Sequence, residues 1–363
     1  MLKAYAIENL KSGMVVGRDV NDPDEGLLIK AGTVLNNATI FKLLDRPIFS
    51  IYIEEEEKKK QVVPEKSSLL DAPYVACYQQ AYKQMEELLS KLRGGAELDV
   101  VLLESILSAD NMRLLCDGSK AVSQLSNMDR TGDYLVHHSL HLAILAGLMG
   151  RWLHYDDQKR HDLVITGLLL DIGKLQVPDA ILEKKGPLSD EEFRVIQKHA
   201  EYGYEMLKDT QFGANRNILF GVLQHHERCD GSGYPYGVRR EQISDFGRIM
   251  AILDIYDAMT ADRSYAKKKS PFEIFAIIHD DIMGGKLDTE YGVYFTKHFC
   301  HALNGSWVRL STGEVGHIVY LDESRVDALP IVQTIDDHFI DLSSDMSVKV
   351  EAILTAEEAQ HAE

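Results

Sequence analysis

Asp171 comes directly after the apolar run Ile165-Thr-Gly-Leu-Leu-Leu170, and this limits how the chain can fold. A carboxylate at the end of a buried helical segment is costly unless it is paired or coordinated. Other polar residues recur in similar settings. His138 stands near the start of a helix expected from His137 to Leu153, where Leu140, Ile144, Leu145 and Leu148 keep helical spacing. His199 shares a face with Phe193, Ile196, Gly203, Met206 and Leu207 on a helix expected from Asp190 to Leu207, with Ser189 as its N-cap. Helices expected from Arg216 to His226 and from Gly247 to Asp262 carry the pair His225-His226 and then Asp254 and Asp257. The two aspartates are three apart and share a helix face. The center of the chain therefore reads as one mainly helical domain.

Taken singly, each residue has an ordinary explanation. A lone histidine on an apolar face is usually a satisfied core residue. Asp171 and Lys174 can be a helix C-terminus. Asp254, Asp257, Thr260, Asp262 and Arg263 can be a capping and salt-bridge cluster, and His137 and His141 read as solvated or packed. Combined, they are a ligand set. Adjacent histidines on a helix point about 100° apart, so both reach one center only near a helix end or across a cleft. His225 and His226 precede a Gly-rich turn, Cys229-Asp-Gly-Ser-Gly233-Tyr234-Pro235, where a cleft mouth is expected. Two divalent ions about 3.5–4 Å apart can activate water and clamp the oxygens of a phosphodiester. A His/Asp set without thiolate suits Fe, Mn, Ni or Zn rather than Ca or Mg. Cys229 reads as a loop residue, not a ligand. Lys174 and Arg263 would stabilize charge growing on phosphoryl oxygens.

The flanks differ from the center. Residues 1–57 read as a small β-rich unit, with Gly13-Met-Val-Val-Gly17, Leu27-Leu-Ile-Lys-Ala-Gly32 and Ser50-Ile-Tyr-Ile53 as short strands between turn signals. Residues 58–117 are a charged linker and a helical lead-in in two pieces, divided at Gly94-Gly95. Residues 118–303 are the main helical domain. Residues 304–355 return to strand character as a small cap, over Ser306–Leu310, Gly316–Leu321 and Pro330–Ile335, and 356–363 are a tail. The run Glu54–Glu57 followed by Lys58–Lys60 reads as a solvated linker. A net charge of −18 argues against nonspecific nucleic-acid binding, and no DNA-binding domain is evident. Scattered Cys77, Cys116, Cys229 and Cys300 read as reduced thiols in a cytoplasmic protein. No segment reads as a signal peptide or membrane span.

The order His138, Asp171-Ile-Gly-Lys174, His199, His225-His226, Gly233-Tyr234-Pro235 and Asp254-Ile-Tyr-Asp-Ala-Met-Thr260 resembles the HD-GYP family. Leu182-Glu-Lys-Lys-Gly-Pro-Leu188 and Gly203-Tyr204-Glu-Met-Leu207 agree with its pattern. The resemblance runs from about residue 133 to 300. It implies an HD-domain helical bundle, flanked here by β-rich units, and a phosphodiesterase of cyclic di-GMP giving the linear dinucleotide and then GMP. It implies that His138, Asp171 and Asp254 hold one metal, and that Asp171, His199, His225 and His226 hold the other. Asp171 and Lys174 would be the catalytic residues. Lys174 and Arg263 would contact phosphate, with Gly233, Tyr234 and Pro235 beside the nucleotide. Fe or Mn come first as the metal, then Ni or Zn, with one or two ions bound.

Three positions depart from the family pattern. Leu170 stands where the family has its first-named histidine. Loss of even a supporting partner costs roughly 10–100-fold in metal affinity or activity, so loss of a ligand should cost at least that. Tyr134 stands where some members have a carboxylate for a third metal. Ser264-Tyr265-Ala266 replaces the usual Pro-Tyr-basic run, with Lys267 next in line. Two functions stay open: a working phosphodiesterase weakened at Leu170, or a nonhydrolytic cyclic di-GMP receptor or scaffold. The helical lead-in is a candidate homodimer surface.

Overall fold

The structure is a computed structural model. It describes residues 2–6, 10–11, 13–22, 26–35, 39–40, 43, 50–54, 71–128, 131–184, 186–260, 269–322, 328–344, 347–354 and 359. The chain divides into two compact units, Met1–Pro64 and Glu65–Glu363.

In the first unit β1 (Leu2–Ala6) pairs antiparallel with β4 (Ser50–Glu54), and β2 (Val20–Asp22) with β3 (Gly26–Ile29). The stretch around Val15 and Val16 forms only isolated bridges, to Val34 and Ile53. Val16, Ile29, Leu35, Leu43, Ile51 and Ile53 make its small core. The charged run beyond Glu54 lies outside the described residues, as does the tail apart from Ala359, which is buried.

The second unit opens with helix α1 (Ala72–Arg93). Asp71 caps it, and it stops at Gly94, with Gly95 in the left-handed region at φ +83°. Short helices α2 (Val100–Ile106), α3 (Ala109–Leu115) and α4 (Gly118–Asn127) follow. Helix α5 (Tyr134–Trp152), capped by Asp133, is buried continuously from Val136 to Gly150. A helix apolar on nearly every side belongs at the center of a bundle. It pairs with α6 (Asp157–Leu169), which ends at Leu170 and gives way to a 3-10 turn over Ile172–Gln176. After the single turn α7 (Asp179–Leu182) comes a correction to the sequence reading. The helix expected from Asp190 to Leu207 is two helices, α8 (Asp190–Gln197) and α9 (His199–Lys208), divided at Lys198. Ser189 is the N-cap of α8, in a capping box with Glu192. Helices α10 (Arg216–Gln224), α11 (Asp245–Thr260), α12 (Pro271–Met283) and α13 (Thr289–Leu303) complete the bundle.

A five-stranded antiparallel sheet ends the described chain, in the order β8 (Phe339–Asp341), β7 (Ile331–Thr334), β6 (Val315–Tyr320), β5 (Trp307–Leu310), β9 (Val350–Leu354). Its Val308, Leu310, Ile318, Val332 and Val350 belong to the same continuous core as the helices.

One close approach sets the inner geometry. A Cβ on Gly173 would lie 1.9 Å from the His199 carbonyl oxygen and 2.4 Å from the Gly203 amide nitrogen. The 3-10 turn after Asp171 therefore touches the backbone of α9 directly. Gly173→Ala should force these segments apart and cost about 3 kcal/mol, the upper range for overpacking. Urea unfolding of the metal-free protein measures this, and an unchanged midpoint would contradict it.

Candidate metal center

The backbone contact at Gly173 brings Asp171 beside His199. Asp171 is buried at the junction of α6 and the 3-10 turn, and His199 is the first residue of α9. His225 is the C-cap of α10, so the helix expected to run to His226 ends two residues earlier, at Gln224. That leaves the histidine pair at a helix end, the one place where neighbors can converge. Ligand atoms of Asp171, His199, His225 and His226 all lie within 4.8 Å of one another.

The protons in this group are assigned by its surroundings. His199 Nδ1 donates to the Ile196 carbonyl at 2.7 Å, and His225 Nδ1 donates to the Val222 carbonyl at 2.7 Å. Burial, which disfavors the charged ring, lowers the pKa of His199, brings that of His225 to about 4, and holds His226 well below its usual value. These are neutral imidazoles. With Nδ1 carrying the proton, the Nε2 atoms of His199 and His225 present lone pairs to each other across 3.1 Å. Both face Asp171 Oδ1, at 3.3 and 3.8 Å. That oxygen has no hydrogen-bond donor among the described residues. Three buried acceptors thus converge with no proton among them. Buried acceptors normally have partners, and a cation is the species that satisfies all three. The residues present fit a divalent metal.

A second group adjoins through the other oxygen of Asp171. His138, on α5, places Nε2 3.2 Å from Asp171 Oδ2 and 3.2 Å from Asp254 Oδ1. Asp254, on α11, also lies 3.8 Å from His226 Nδ1 through Oδ2. Burial works against an imidazolium at His138, but Tyr134 and the hydrogen bonds to Asp171, Asp254 and Asp257 lift its pKa well above the usual value. In the metal-free protein a proton on His138 stands between the two carboxylates. Both aspartates are held well below the ordinary carboxylate range. Burial opposes this shift in each. Lys174, His138 and His199 outweigh it at Asp171, and His138 and His226 outweigh it at Asp254.

Lys174 returns to Asp171 Oδ2 across the 3-10 turn as a short ion pair and is partly exposed. Burial opposes its charge, and Asp171 outweighs burial and raises its pKa. Tyr234 lies with its ring stacked on His226, centroids 4.6 Å apart, and edge-on to His199 at 6.4 Å. Gly233 lets this loop fold back, because a Cβ there would lie 2.4 Å from the His226 carbonyl oxygen. Pro235 follows across a cis peptide bond. Cys229 is tied by backbone bonds to Lys286 and Arg240, in keeping with a loop role. Arg263 and the run Ser264–Lys267 lie outside the described residues.

Other residues serve the site without having stood out as site residues in the sequence. Asp257 Oδ2 accepts from His138 Nδ1 at 2.7 Å, and its Oδ1 pairs with His141 Nδ1 at 3.0 Å. His141 is therefore packed and hydrogen-bonded, not solvated. Tyr134 stacks on His138 at 5.3 Å. Glu227 is buried and accepts the amides of Tyr236 at 2.8 Å and Val238 at 3.1 Å, which pins the loop that carries Tyr234. The signals available were the His-His-Glu triplet and the three-residue step from Asp254. Leu170 is fully buried and belongs to the apolar core.

Comparison with known proteins adds to this geometry. Residues 111–290 match the HD domain family. A protein of Pseudomonas aeruginosa named cyclic di-GMP phosphodiesterase PA4108 is 36% identical over 199 residues, which are 55% of this chain and 47% of that protein. The 3'3'-cGAMP-specific phosphodiesterase 3 of Vibrio cholerae is 36% identical over 155 residues, 43% of this chain and 33% of that protein. The cyclic di-GMP phosphodiesterase response regulator RpfG of Xanthomonas campestris is 39% identical over 124 residues, 33% of this chain and 32% of that protein. The chain thus spans about half of the first of these relatives and about a third of the others. Among solved structures, Bd1817, an HDG"Y"P protein from Bdellovibrio bacteriovorus, shares the fold at a TM-score of 0.50 and 16% identity, covering 81% of this chain and 98% of that one. No helix among the described residues is long and apolar enough to cross a membrane.

Proposed function

Because residues 111–290 belong to the HD-domain family and carry the HD-GYP pattern, we propose that the chain is a metal-dependent phosphodiesterase that opens cyclic di-GMP. The observation that carries this reading is the donor-free meeting of His199 Nε2, His225 Nε2 and Asp171 Oδ1. Asp171, His199, His225 and His226 would hold one divalent ion, and His138, Asp171 and Asp254 a second. Fe or Mn suits these ligands best, then Ni or Zn. Such ions polarize a phosphodiester and lower the pKa of water.

The chain's own groups do the rest. Asp171 would contribute to both ion positions, since Oδ1 faces His199 and His225 and Oδ2 faces His138. Asp257 holds the His138 ring so that Nε2 faces the site. The Lys174 ammonium offsets negative charge as it grows on the phosphoryl oxygens. Tyr234, seated on His226 and held by the Glu227-pinned loop, offers a ring beside the reacting phosphate. Hydrolysis adds one water across a P–O bond of the ring: its oxygen joins phosphorus, and the leaving ribose oxygen takes a proton. The product is the linear dinucleotide, and a second round gives GMP.

A second reading has its own support. Leu170 is packed into the apolar core where the family has a ligand, which favors a nonhydrolytic receptor of the same nucleotide. The deciding experiment is product formation from cyclic di-GMP by protein loaded with Mn or Fe under reducing conditions, with 3'3'-cGAMP assayed alongside. Linear dinucleotide or GMP supports the enzyme. Nucleotide binding without product supports the receptor, and neither result sinks both readings.

Two further outcomes are expected. Asp257→Asn should weaken Mn binding about 10–100-fold, the usual cost of losing a partner behind a ligand. A Mn titration checks it. Metal must also displace the proton on His138, because only the neutral imidazole ligates. Its pKa is raised, so below that pKa the affinity should fall about tenfold per pH unit for that ion. Calorimetry in buffers of different ionization enthalpy should show proton release near pH 7 that disappears in His138→Gln.

A further inference from the structure

The far end of the α5–α6 hairpin encloses a cavity that the proposed hydrolysis does not use. Its volume is about 610 Å³, and α2, α3, α5 and α6 contribute to its walls. Gly147 and Arg151 line it from α5, roughly 14 and 20 Å along that helix from His138 at 1.5 Å per residue. The volume falls within the range of small-molecule sites, about 300–1,000 Å³.

The lining has two parts. Leu107, Cys116, Gly147 and Val164 are buried and form an apolar floor, with Met112 beside them. Around the mouth stand Arg113, Arg151 and Arg160, together with Glu104, Asp157 and His161, whose Nε2 lies 3.4 Å from Glu104. The arginines are held loosely. Arg160 pairs with Asp157 at 2.8 Å, and that carboxylate is 95% exposed. Arg113 pairs with Asp110 at 3.3 Å, with both side chains more than four-fifths exposed. Arg151 donates to the Cys116 carbonyl at 3.0 Å through Nη1, one of the several donors a guanidinium carries. Exposed pairs of this kind are worth little and exchange readily for a better anion. Cys116 itself is no nucleophile here, since burial pushes its thiol pKa up to about 12.

We propose that this cavity binds an amphipathic organic anion, with an apolar body on the floor and a carboxylate, sulfonate or phosphate head among Arg113, Arg151 and Arg160. A guanidinium presents paired donors to a planar or tetrahedral anion, and the floor supplies the apolar contact that a free inorganic anion cannot use.

The test uses the full chain without added metal. The fluorescent probe is 8-anilinonaphthalene-1-sulfonate, with decanoate and decyltrimethylammonium as competitors. One saturable site per chain is expected, displaced by decanoate and not by the cation of similar apolar length. The double variant R151Q/R160Q should weaken binding about tenfold or more, from the loss of charge-assisted hydrogen bonds. Met112→Trp should abolish it by filling the space. Circular dichroism melts confirm that each variant is folded, and the surface double variant keeps the test decisive if Met112→Trp is not. Absence of saturable binding overturns the proposal. So does binding that both folded variants leave unchanged, or equal displacement by the cation.

Discussion

Asp171→Ala is expected to abolish the proposed phosphodiesterase activity, by about 10³-fold or more, and to remove tight metal binding at both proposed positions. A supporting partner behind one ligand is worth roughly 10–100-fold. Asp171 is itself a candidate ligand on each side, with Oδ1 toward His199 and His225 and Oδ2 toward His138. The losses at two ions multiply when both are needed. The substitution also leaves Lys174 and the protonated His138 without their shared anion, and removing one partner of a buried pair typically costs 3–5 kcal/mol. A lower melting temperature of the metal-free variant should therefore accompany the loss of activity. Metal content by elemental analysis and turnover on the same preparation measure the effect. Full metal content with full turnover would show that Asp171 is not a ligand.

The second large effect is a gain. Leu170→His restores an imidazole at the residue preceding Asp171, where the family has one. Without metal the variant should be less stable, by roughly 1–3 kcal/mol, because a polar ring enters an apolar core. With metal it should bind Mn about 10–100-fold more tightly than the natural sequence. The signature is a crossover: melting temperature falls in chelator and rises more steeply with added Mn. Turnover in the same variant separates the two functional readings. An increase from a measurable start identifies an enzyme weakened at this position. Activity appearing where the natural sequence has none identifies a receptor. A variant that loses stability and gains no affinity would mean the side chain at 170 does not reach the ion.

Much of this was legible in the residues. Helical spacing located α5, α10 and α11 to within a few residues, Gly94 and Gly95 marked the end of α1, and Ser189 marked the start of α8. The strands around Val308, Ile318 and Val332 were legible too, because turn signals bracket them. Other features were not. The break at Lys198 is invisible to periodicity, because Ile196, Gly203 and Leu207 keep helical spacing across it. Its role is to set His199 at the start of a new helix, which is a tertiary requirement. The strands β8 and β9 are short, and β9 earns its place by pairing with β5, some forty positions earlier in the chain. Asp257 reads as a capping residue by local rules, since its partner His138 is 119 residues away. Glu227 is similar: a charged residue in a polar loop gives no hint that it will be buried.

The meeting of Gly173 with α9 has a consequence for how such a center tolerates change. The distance between the Asp171 and His199 segments is fixed by main chain against main chain, with no side chain between them to lengthen or shorten. Substitutions on the outer helices cannot tune that gap. A chain built this way could exchange one ligand position, as proposed at Leu170, while the other candidate ligands keep their register. The scaffold acts as a gauge, so drift in function can precede any drift in shape.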